Sequence, residues 1–100
     1  KRMQNKITEI QIVPVKPNNG LVGFASFVYD DSFYLGSIGI YTRPQGGYRL
    51  TYPTRTGTNG SFNVFHPINR ETAEEVEKAI IYRFEEVTKS YVGHNSFDIK

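Results

Sequence analysis

Arg43, Arg49, Arg55 and Arg70 lie on or beside loops in the middle of the chain, with Tyr48 and Tyr52 among them. A guanidinium bridges two phosphate oxygens at once, and a tyrosine ring offers a face on which an unpaired base stacks. These residue types in this order therefore suit contact with a sugar–phosphate backbone and its exposed bases. Packing against a sheet is the alternative for the two tyrosines, and the sequence leaves both roles open. Arg55 sits in a Gly- and Thr-rich stretch, where a positive side chain has no evident core role. Other chemistries find less. His66 precedes Pro67, so its ring is expected to hydrogen-bond locally and order a turn into a helix beginning after Asn69. His94, Ser96 and Asp98 could be drawn as a triad, but nothing in their spacing holds them for proton transfer. The absence of cysteine excludes disulfides and thiolate metal sites. Neither Gly46-Gly47 nor Gly57 leads directly into a helix with the lysine of a phosphate loop. The expectation is a protein without catalysis, metal, cofactor or small-molecule substrate.

The segment Pro53 to Asn69 positions the central residues of this set. Pro53 cannot donate to a strand ladder, and Asn59-Gly60 tolerates positive φ in a hairpin turn. Ser61 to His66 alternates as a strand does; Pro67 ends the pairing, and Asn69 has the side-chain oxygen that caps a helix. Upstream the chain reads as sheet. Strands are expected over Ile7 to Val15, Leu21 to Tyr29, Phe33 to Thr42 and Tyr48 to Tyr52, with turns at Lys16 to Gly20, Asp30-Asp31-Ser32 and Arg43 to Gly47. Both faces of Leu21 to Tyr29 are apolar, as in a central strand covered by a helix on one side and by a second subunit on the other. Gly36 and Gly39 mark a bulge or a close backbone approach. Downstream, Ala73, Val76, Ile80, Phe84, Val87 and Tyr91 form one stripe of a helix from Arg70 to about Ser90, with Glu74–Lys78 and Glu85–Lys89 pairs outside it.

A chain of 100 residues is one domain, and one of that size hides roughly 60–70% of its unfolded surface. Seven Tyr and seven Phe with no Trp mean that aromatic rings fill much of the core. No apolar run reaches the length of a spanning helix and none follows the basic N-terminus, so a cytoplasmic protein without membrane contact is expected. The formal net charge of +2 is small but unevenly placed. Residues 1–70 hold eight Lys or Arg against Glu9, Asp30 and Asp31, a net +5, whereas residues 71–100 hold four against seven, a net −3. The basic half could attract phosphates by releasing their counterions.

The run Pro53 to Asn69 resembles the SpoVG family of bacterial septation and sporulation regulators, whose pattern is close to Pro-Ser-Lys-Arg-Thr-Pro-Asp-Gly, a short strand, then His-Pro-Ile-Asn. Here His66-Pro67-Ile68-Asn69 is complete. The resemblance extends from Ile7-Thr8-Glu9-Ile10 through Phe24-Ala25-Ser26 and Asp30-Asp31-Ser32-Phe33 to near Val87. Between Pro53 and Gly60 this chain is one residue shorter than the pattern, and Arg55 alone stands where the family has two adjacent basic residues. The resemblance implies a dimeric regulator that binds DNA or RNA. The combined expectation is an α+β fold, an antiparallel meander of about five strands packed by one C-terminal helix. It comprises a flexible segment over 1–6, one domain over 7–92 and a tail over 93–100. The competing expectation is a protein-interaction module that pairs through an exposed sheet edge.

Overall fold

A computed structural model describes residues 6–99, with side chains over 6–89. Six strands precede one helix: β1 (Ile7–Asn18), β2 (Leu21–Tyr29), β3 (Phe33–Thr42), β4 (Tyr48–Thr51), β5 (Thr54–Gly57), β6 (Gly60–Asn63) and α1 (Arg70–Ile99). The first four form one antiparallel sheet in the order β1-β2-β3-β4, and β5 pairs only with β6. The turn chemistry explains the meander. Asn19 and Gly20 both take positive φ, 54° and 93°, and close the two-residue link from β1 to β2. Its twist matches that of the flanking strands. Asp30 and Asp31 do the same work between β2 and β3, each at φ 54°.

One face of the sheet carries Ile7, Ala25, Phe27, Ile38 and Ile40 against Val76, Ile80 and Phe84 of α1, and these eight residues are the buried core. Burying each larger side chain is worth about 1.5–3 kcal/mol. The helix lies across the sheet from β1 to β4, and the molecule is 24 Å deep in its thinnest direction, the thickness of one sheet and one helix. The opposite sheet face is uncovered, with Val13, Phe24 and Tyr34 on it at 59%, 41% and 71% exposure.

Four features depart from the sequence reading. The fifth strand does not join the meander: the chain leaves the sheet at Pro53, which has no N–H to give, and folds back on itself as the β5–β6 hairpin. Val64 N donates to Pro53 O at 2.7 Å and closes the root of this arm. Second, the faces of β3 do not follow strict alternation: the bulge that Gly36 marked lies at Gly36 and Ser37, the latter at φ 61°, and shifts the pattern by one residue. Leu35 pairs with Phe27 and Ile38 with Ala25, so Leu35, Ile38 and Ile40 share the core face while Tyr34 points away. Third, α1 runs through Gly93 to Ile99, because a glycine within a helix costs only about 1 kcal/mol. Fourth, the ion pairs on the helix among the described residues are Arg83–Glu86 at 3.1 Å and Glu77–Arg43 at 3.8 Å, not Glu74–Lys78 and Glu85–Lys89; exposed pairs gain too little to fix their geometry. The segment 1–5, the Tyr91 side chain and the His94, Ser96 and Asp98 side chains lie outside the described residues.

Candidate nucleic-acid interface

The β5–β6 arm is short, exposed along its whole length and packed chiefly on itself. Its register puts Arg55 opposite Phe62 and Thr56 opposite Ser61, and the Thr56 and Ser61 hydroxyls lie 3.3 Å apart. Cross-strand partners share a face. A guanidinium and a 56%-exposed phenyl ring therefore stand side by side on one surface. Arg55 has no ion-pair or hydrogen-bond partner among the described residues, so its charge is available to a ligand.

The other arginines are placed differently. Arg43 Nε donates to Tyr48 O at 3.2 Å, and its Nη2 lies 3.8 Å from Glu77 Oε2, which ties the β3–β4 turn to the helix. The Arg49 guanidinium stands 4.9 Å over the Tyr41 ring, with Tyr41 its direct β3 partner. Arg70 is the first residue of α1. The four do not form one patch: Arg43 turns to the helix, while Arg49 and Tyr41 lie on the sheet face away from it.

Tyr48 meets Phe84 edge-on at 5.1 Å and 71°, which gives that ring a packing role in the core. Tyr52 meets Phe65 at 5.9 Å and 73°. Burial, with the Glu77 carboxylate adding to it, pushes the Tyr52 hydroxyl up to about 12. The turn into the helix is ordered as its residues suggest. His66 Nδ1–H donates to Pro67 O at 2.9 Å, Asn69 Oδ1 accepts from Thr72 N at 2.8 Å, and Asn69 O accepts from Ala73 N at 3.1 Å.

Tyr52 and Phe65 flank the arm in sequence and line a cleft of about 230 Å³ at its root. Phe27, Tyr29 and Val76 form more of its wall, and His66, Asn69 and Thr72 contribute polar groups. Among the described residues no three His, Asp or Glu side chains converge as metal ligands, and no helix is long and apolar enough to cross a membrane.

Phe62 and Tyr41 are the interface candidates that the sequence reading passed over. Phe62 follows only from a hairpin that turns at Thr58-Asn59, where Gly57 pairs with Gly60 and Arg55 with Phe62; the Asn59-Gly60 turn expected from the sequence would set Arg55 against Val64. Tyr41 beside Arg49 depends on the β3–β4 register, which no local signal marks.

The SpoVG family model matches residues 5–86. A septation protein SpoVG of Treponema denticola is 35% identical over 81 residues, covering 80% of this chain and 86% of its own length. Those of Phytoplasma australiense and Archaeoglobus fulgidus are 31% and 29% identical, over 87% and 81% of this chain and 91% and 95% of theirs. With the sheet, the His66-to-Asn69 turn and the helix as far as Glu86 inside the matched span, the chain belongs to the SpoVG family.

Proposed function

We propose that this protein is a non-catalytic, cytoplasmic regulator of septation that works as a homodimer by binding DNA or RNA. The observation that carries the reading is the projecting arm, which sets the unpaired Arg55 beside the exposed Phe62. A charge that bridges phosphates next to a ring that stacks on bases suits a nucleic-acid strand. The charge partition supports it, since the half of the chain that includes the arm is basic and the helix half acidic. The septation role comes from the names of the relatives. Val13, Phe24 and Tyr34 on the uncovered sheet face supply apolar surface for a second copy.

The reading is tested by titrating the protein with short duplex DNA, single-stranded DNA and RNA at two salt concentrations about fourfold apart. Binding at micromolar concentration or tighter that collapses with salt is expected, as is a loss of affinity in Arg55→Ala without a lower melting temperature. Absence of binding at the lower salt overturns the reading.

A second reading is favoured by β4, whose outer edge carries no paired strand among the described residues and whose pairing with β3 runs without a bulge. A peptide could extend the sheet there by strand addition. Such binding would survive the salt that abolishes phosphate contacts.

A further inference from the structure

We infer that the cleft at the root of the arm receives one unstacked nucleobase from a single strand whose phosphates run along the arm. The inference rests on the nucleic-acid reading and adds to it the form of the ligand and a second point of contact. Size comes first. At about 230 Å³ the cleft is smaller than the roughly 300–1,000 Å³ of sites that engulf a drug-sized molecule, and it suits one flat ring system. Its walls are rings: Phe27 and Tyr29 from β2, and Tyr52 and Phe65 from the two ends of the arm. Tyr52 and Phe65 stand nearly perpendicular, at 73°, so a flat guest can meet the face of one and the edge of the other.

The polar groups at the cleft can serve a base edge. Asn69 commits Oδ1 to Thr72 N, which leaves its amide hydrogens to donate. His66 commits Nδ1 to Pro67 O, which leaves Nε2 to accept when the ring is neutral. The Tyr52 hydroxyl has no hydrogen-bond partner among the described residues and can do either. Carboxylates do not dominate the setting. Glu77, which faces Tyr52, is paired with Arg43, and Arg70 directly follows Asn69. Placement completes the argument. Tyr52 and Phe65 are the residues next to the arm's root, where Val64 N and Pro53 O are bonded. Arg55 is three residues from Tyr52, about 10 Å of extended chain. A strand held by Arg55 therefore passes the mouth of the cleft. A duplex has no free base to insert, so single strands are the preferred ligand.

The test compares a single-stranded DNA oligonucleotide, an abasic strand of equal length and the corresponding duplex, all at one low salt concentration. The base-bearing strand is expected to bind about tenfold or more tighter than the abasic strand, the scale of one stacked base. Phe65→Leu, which keeps an apolar wall but removes the ring, should lower that ratio severalfold, the remainder belonging to Phe62 on the arm. Asn69→Asp keeps the helix cap while removing the amide donors, and it should lower the same ratio. It is also the deciding variant if Phe65→Leu proves to be unfolded in a thermal melt. Equal affinity of wild type for the base-bearing and abasic strands overturns the cleft assignment but leaves phosphate binding by the arm intact. So does a ratio that neither variant changes, which would put the stacking elsewhere, with Phe62 the first candidate. Failure to bind any of the three ligands overturns the nucleic-acid reading itself.

Discussion

The Tyr52 hydroxyl records how the arm joins the sheet. Half-buried against Phe65 and near Glu77, it holds its proton to a pH of about 12 instead of 10. The unfolded chain binds fewer protons than the native state between those values, so stability is full below pH 10 and falls as pH rises towards 12. Thermal melts across this window should show a falling melting temperature, and Tyr52→Phe should remove the part of the fall that belongs to this hydroxyl. A melting temperature that drops equally in both proteins would place the effect in other groups. Arg43 and Arg55 make the complementary point. Both are arginines on exposed loops or turns in the sequence, yet one is tied to Tyr48 O and Glu77 while the other has no partner among the described residues. Which arginine is occupied depends on the helix lying beneath the β3–β4 turn, and that contact spans too much sequence to be read locally.

At the scale of the element, β3 and β4 approach closely at Gly39. A Cβ built there would lie 2.6 Å from Thr51 Oγ1, nearer than atoms tolerate. Gly39→Ala should therefore destabilise the protein by about 1–3 kcal/mol, and adding Thr51→Ala should recover part of the loss. Additive losses in urea unfolding would show that the two positions are not coupled. The sequence made much of the sheet legible. Asn19-Gly20 and Asp30-Asp31 mark the turns, β2 and β3 have the expected bounds, and the helical stripe holds through Val76, Ile80 and Phe84. Two features were only partly legible, for different physical reasons. Gly36 marked the bulge of β3 but not its effect on register: it shifts a period-two pattern by one residue, so Leu35 and Ile38 reach the same face although odd and even positions alternate. The arm was hidden because a strand's partner is set by register, and Ser61 to Asn63 reads alike whether it extends a meander or closes on Thr54. At the candidate site, the cap at Asn69 and the local bond of His66 were readable from residue type. The cleft was not, since its walls come from β2, the ends of the arm and α1.

For the whole molecule, one sheet face is closed by the helix and the other is open. Apolar side chains on the open face are the surface proposed for a second copy, and the expected species in sedimentation is twice the 11.4 kDa chain mass. Val13→Lys, at a 59%-exposed position on that face, should shift the mass towards the monomer while leaving the fold intact. A mutant that still sediments as a dimer would move the interface to a sheet edge. The closed face has a consequence for the newly made chain. All four strands of the sheet pair with neighbours in sequence, so the meander can assemble as it emerges from the ribosome. Its cover, α1, follows last of the elements described. Until Val76, Ile80 and Phe84 have been synthesised, Phe27, Ile38 and Ile40 face water. The protein's most vulnerable moment is thus set by gene order within the chain: a finished sheet waiting, bare on both sides, for the helix that makes it a domain.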